Sequence, residues 1–184
     1  MPRLPEITDR EALAEQDREV FDYIIKSRGR VGLPYSVFLH HPHAAHLKLQ
    51  VGHFVRFDTS LPHNVSELAI CTAAREMDCR FEWAAHAAAA PRAGVSDQAV
   101  DVIAHRKPLE GLSDEEALPI EFTRQLLQKH RVNDATYAKA LERFGERGVI
   151  ELTMTAGYYI MSACWMNVMQ IEPPADRPQL PDAP

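Results

Sequence analysis

The chain has 184 residues, 46% of them hydrophobic and 25% charged, which is the size and ordinary composition of one globular domain. A net charge of −6, with no basic run, argues against nucleic-acid partners and against adsorption to an anionic membrane. Three cysteines without a CxxC pair, and a charged rather than apolar N-terminal stretch, predict free thiols and a cytoplasmic location.

In chain order the signals are helical. "DREALAEQDREVFDYIIKSRG" carries an apolar stripe through Ala12, Val20, Tyr23 and Ile24 and stops at Gly29. Pro34 and Pro42 each stand where they can open a helix, the second running from about Pro42 to Phe57. "SLPHNVSELAICTAAREMD" follows, with Asn64 as N-cap and Glu67 three residues on, a capping-box spacing. Asp78 offers a fresh N-cap for "CRFEWAAHAAAAPRAG", whose alanine run favours helix and whose Pro91 and Gly94 close it. Ser96 opens a short helix. Ser113 with Glu116 opens another, and Pro119, too deep for a first turn, predicts a lead-in turn and a restart. Asn133 or Asp134 caps the next, which ends in the pair Gly145 and Gly148.

The last helix, from Val149 to Ile171, is long enough for a bilayer but contains Glu151, Thr153, Thr155, Ser162, Asn167 and Gln170, so it reads as a buried helix of a soluble protein. The tail "EPPADRPQLPDAP" holds five prolines and is extended, either a loose end or a strap across a neighbouring subunit. The expectation is an all-α fold of about eight helices: a single domain over 1–172 and a Pro-rich tail over 173–184.

Within "CRFEWAAH" the spacing i, i+3, i+7 sets Cys79, Glu82 and His86 on one helical face, within an arc of ~60° at ~100° per residue. Cys79 at the first helical position would feel the helix dipole, which lowers a thiol pKa. His86 beside Glu82 has the makings of a proton-transfer group. The preceding helix offers Glu67, with Cys71 and Arg75 on its face. The plain alternatives are a solvated Glu–His pair, a capping role for Glu67, and inert buried thiols, above all at Cys71 and Cys164. "HHPHAAH" invites a metal reading, but His40, His41, His43 and His46 contain no i, i+4 pair with an intervening acid, and Pro42 breaks their register. No metal and no cofactor are expected, and the histidine stretch reads as surface or interface.

"LPHNVSELAICTAARE", "CRFEWAAHAAAAPRAGVSDQAVDVI" and "RVNDATYAKALERFGERGVIELTMTAGYYIMSACWMNVM" resemble, in that order, the glutamate helix, signature helix and C-terminal helical pair of the carboxymuconolactone decarboxylase family, which includes the alkylhydroperoxidase D-like proteins. The peroxidase branch spaces a glutamate, a cysteine twelve residues on, a second cysteine and a histidine; Glu67, Cys79 and His86 match. Glu82 replaces the second cysteine and Phe81 the histidine between the two, so a dithiol–disulfide cycle cannot close on this motif. The resemblance therefore implies the alkylhydroperoxidase D-like fold, a trimer or hexamer, and decarboxylase-type chemistry on a small carboxylated lactone or carbonyl compound of aromatic catabolism. In that reading His86 is the general acid/base, Glu82 or Glu67 orients it, Arg75 or Arg80 holds the substrate anion, and Trp83 flanks the pocket. The rivals are a thiol peroxidase using Cys79 and a non-catalytic small-molecule binder.

Overall fold

The computed structural model describes residues 1–182. Eight α-helices build it: α1 (Arg18–Arg28), α2 (Leu33–Phe38), α3 (Pro42–His53), α4 (His63–Glu76), α5 (Arg80–Ala87), α6 (Asp97–Ala104), α7 (Asp114–Lys129) and α8 (Asp134–Met169). No strand occurs among the described residues, so the all-α expectation holds.

Local chemistry explains most boundaries. Gly29 closes α1 in the left-handed conformation, and Pro34 and Pro42 lie in the first turns of α2 and α3. The side chains of Ser96, Ser113 and Asn133 cap α6, α7 and α8 by accepting from backbone N–H groups three residues on. Two predicted caps differ. The N-cap of α4 is Pro62, with no side-chain cap, so Glu67 is free for another role. The N-cap of α5 is Cys79, while Asp78 takes a positive φ of 46° as the chain turns out of α4. Pro119 does not restart α7. The helix runs through it, because the missing N–H spares only the carbonyl of exposed Glu115, while Leu118, Ile120 and Phe122 stay buried on the packed face. Gly145, at φ 67° and ψ 178°, is not helical and breaks α8 into two helices, as the glycine pair predicts.

Helix α4 is the axis of the molecule: Val65 through Arg75 are all buried, and α5, α6, α7 and α8 pack around it. A helix buried on every side has no solvent face, so any charge on it must find an internal partner. The tail straps its own chain. Leu180 enters the cluster formed by Leu68, Trp83 and Ile103, and the Pro181 carbonyl accepts from Arg75 Nη1 at 2.7 Å. Residues 183–184 of the predicted tail lie outside the described residues. No helix is long and apolar enough to cross a membrane among the described residues.

Candidate active site

Glu67 is 3% exposed, yet it is charged and sits in the middle of the packing. Its partner comes from α5: His86 Nδ1 lies 2.8 Å from Glu67 Oε2. Burial pushes the Glu67 carboxyl up, but the His86 hydrogen bond and the nearby charges of His86, His63 and Arg56 outweigh it and hold the group below its ordinary value. An ionised carboxylate only accepts, so Nδ1 carries the proton and Nε2 is left to act. Tyr159 packs its ring edge-to-face on the imidazole at 4.9 Å and fixes its plane. Glu82, one turn before His86, approaches Nε2 at 3.6 Å.

His86 and Glu82 line a cavity of about 250 Å³. Its wall is assembled from Arg28 at the end of α1, Arg30 after it, Tyr35 on α2, Lys48 on α3, and Tyr158 and Tyr159 on α8. Arg56 joins them from the π-helical turn Phe54–Asp58 that continues α3. Four cations thus meet one carboxylate, Glu82. None of the four is salt-bridged to an acidic side chain among the described residues. Such a wall attracts a small anion and, with its aromatic flank, suits a carboxylated organic molecule.

Of the residues expected from sequence, the fold brings together Glu67, Glu82 and His86. Cys79 is close in sequence but points elsewhere, buried among Val37, Ala163, Met166 and Ile171. Burial pushes its thiol up to about 12, against the Phe81 and Glu82 N–H groups that favour the thiolate. The expected dipole effect is present and loses to desolvation. Arg75, 1% exposed, clamps the tail and Asp78. Arg80 pairs with Asp182 at the surface, and Trp83 fills the core beside Leu68. None of these last three lines the cavity; Arg28, Lys48 and Arg56 occupy the place assigned to Arg75 and Arg80. Cys71 is buried and its thiol pushed well up by desolvation, whereas Cys164 is exposed.

Of the histidine stretch, His40 Nε2 meets the Pro5 carbonyl at 2.8 Å and His41 caps α3, so both tie down local backbone. Among the described residues no group of three His, Cys, Asp or Glu side chains is disposed to hold a metal ion. Lys48 carried a signal that sequence reasoning passed over. Ala45, Lys48, Leu49 and Gly52 form one buried stripe of α3, which puts a lysine at a core position.

Residues 42–119 match the family model described as the Carboxymuconolactone decarboxylase family. That span contains Lys48, Arg56, Glu67, Glu82 and His86. No curated protein matches the chain in sequence. In structure the chain is similar to an alkylhydroperoxidase AhpD core from Ralstonia eutropha JMP134, described as an uncharacterized peroxidase-related protein. The TM-score is 0.77, with 16% identity over 95% of this chain and 93% of that one, a likeness of fold.

Proposed function

We propose that this chain, whose residues 42–119 match the carboxymuconolactone decarboxylase family and whose fold is alkylhydroperoxidase D-like, is a lyase-type enzyme of that family that transfers a proton at His86. The substrate class is a small carboxylated lactone or carbonyl compound, as in aromatic catabolism. The observation that carries this reading is the buried Glu67 carboxylate on His86 Nδ1, with His86 itself lining a cavity walled by four cations.

The chemistry follows from those positions. Arg28, Arg56 and Lys48 bind the substrate's carboxylate groups and its carbonyl oxygen. The C–C bond to the departing carboxylate breaks, carbon dioxide leaves, and the electron pair delocalises into the carbonyl as an enolate that the cations stabilise. Protonated His86 then donates from Nε2 to the carbon, and the neutral ring is reprotonated from solvent with Glu82 at hand. Glu67 stabilises the imidazolium between these steps and keeps the tautomer fixed. The test is a panel of lactone acids and hydroperoxides given to the wild type and His86→Ala in parallel. The proposal expects carbon dioxide release from an acid substrate that the variant loses, and peroxide reduction by neither protein.

The peroxidase alternative finds less support, because the Cys79 thiol does not line the cavity and stays protonated at neutral pH. A binder without turnover would hold the same anions in the wild type and in His86→Ala equally. A cytoplasmic homo-oligomer completes the reading. Ile150, Met154, Met161 and Val168 make an exposed apolar stripe along α8 at spacings of four and seven, suited to a second copy of the chain. Sedimentation equilibrium gives the mass, and a monomer would remove that part of the proposal.

A further inference from the structure

We propose that Lys48 is a catalytic nucleophile, forming a Schiff base with the ketone of a 3-oxo acid, so that the cavity's substrate class is a β-keto acid rather than a lactone. The inference rests on the proton-transfer reading above and adds to it a covalent electron sink.

Lys48 is 6% exposed, yet it has no carboxylate partner among the described residues, and its one hydrogen bond goes to the Tyr158 hydroxyl at 2.8 Å. A buried ammonium that no carboxylate pairs directly is costly, and a purely structural position in the α3 stripe would be served better by an apolar side chain. The amine stands over the Tyr158 ring at 4.5 Å, with Tyr35 and Trp165 within 6 Å, in the same cavity as Glu82 and His86. Gly52, one turn along α3, makes this placement possible: a β-carbon there would overlap the Tyr158 hydroxyl and lie 2.8 Å from Cζ of its ring. The other cations of the wall are guanidinium groups, which stay charged and cannot serve as nucleophiles. Desolvation, with the charge of Arg28 and against that of Glu82, brings the Lys48 amine down to about 8. A reactive fraction of free amine is therefore present at neutral pH.

The steps balance without an outside reagent. The Nζ lone pair adds to the ketone carbon, and the oxygen takes a proton to give a carbinolamine. Glu82 lies in the cavity to relay protons as water leaves and the iminium forms. The bond to the β-carboxylate then breaks, carbon dioxide departs, and its electron pair enters the iminium to make an enamine. His86 protonates the enamine carbon from Nε2, and water hydrolyses the resulting iminium to release the ketone and the Lys48 amine.

The experiment uses the intact protein with acetoacetate and 3-oxoglutarate as probes and cyanoborohydride as trap at pH 7, with peptide mass mapping of all five lysines. Lowering an amine from the ordinary range to about 8 raises its free fraction at pH 7 by about 300-fold. Lys48 is accordingly expected to be reduced to a secondary amine about 300-fold faster than Lys26, Lys107, Lys129 and Lys139. Labelling of Lys48 no faster than those four overturns the proposal. Lys48→Arg and Lys48→Met separate the roles. Both abolish turnover if the amine reacts, whereas turnover kept by the arginine variant means that a cation suffices, which also overturns the covalent step. In that last case, loss of turnover in His86→Asn would leave the proton-transfer reading standing. Selective trapping at Lys48 with turnover indifferent to His86 would do the opposite.

Discussion

Glu67→Gln removes one charge from a site where the charge has a defined task. The carboxylate is 3% exposed and accepts from His86 Nδ1 at 2.8 Å, so the replacement fits the same space and changes only the electronics. A charge-assisted hydrogen bond contributes about 1.5–3 kcal/mol and a neutral one about 1. The imidazolium formed in turnover thus loses roughly 0.5–2 kcal/mol of support, which slows proton transfer by about 2- to 30-fold. The amide can also donate to Nδ1, which would move the ring proton to Nε2 and deepen the loss.

Two assays read this change. One is kcat for carbon dioxide release; the other is the pair of ¹⁵N shifts of the His86 ring, which report the tautomer. Stability supplies a third, with its sign fixed by the depressed Glu67 value. That contribution is present above the unfolded carboxyl near 4.5 and is lost as pH falls through the lower folded value. The wild type therefore exceeds Glu67→Gln in stability at neutral pH, and the gap closes in acid. An unchanged kcat together with an Nδ1–H tautomer kept in the variant would refute the orienting role.

The Lys48 amine, lowered from 10.5 to about 8, binds fewer protons folded than unfolded between those values, so stability rises with pH across that window by roughly 3 kcal/mol. Denaturant titrations at pH 7 and pH 10.5 should show that rise in the wild type and its loss in Lys48→Met; parallel curves for the two proteins would contradict the burial argument. Iodoacetamide at pH 8 is expected to label exposed Cys164 first. A thiol near 12, as at Cys79, reacts about three orders of magnitude more slowly than one near 8.5, and equal rates by mass spectrometry would restore the peroxidase reading. Leu180→Ala, which empties a place beside Trp83 and Leu68, should cost about 2 kcal/mol in urea unfolding with turnover retained; no cost would mean that the tail does not strap the core.

What the sequence made legible is local. Caps at Ser96, Ser113 and Asn133, the stop at Gly29 and the prolines of α2 and α3 act within a few residues of themselves, and each was readable as written. The Glu82–His86 pair was legible because helical spacing dictates it. Glu67 and His86 lie nineteen residues apart on different helices, and their pairing came from the family resemblance rather than from spacing. The rest depends on tertiary packing. Nothing local to Arg28, Lys48 or Tyr158 says that three distant helices converge on one cavity, although a lysine inside the buried stripe of α3 was a warning. Cys79 misled for a physical reason: the helix N-terminus was foreseeable, but the cluster that desolvates it comes largely from α2 and α8. Arg75 and Arg80 misled in the same way, since the partners that occupy them come from a tail a hundred residues later.

The account turns on a proton delivered by His86 to a carbon in the cationic cavity. Running 3-oxo acids and lactone acids through the wild type and His86→Asn in D₂O, with NMR of the product, tests this directly. The account predicts that the wild type releases carbon dioxide and places one deuterium on the product carbon well above the uncatalysed rate, and that His86→Asn falls to that background. Equal deuterium incorporation by the two proteins would contradict it.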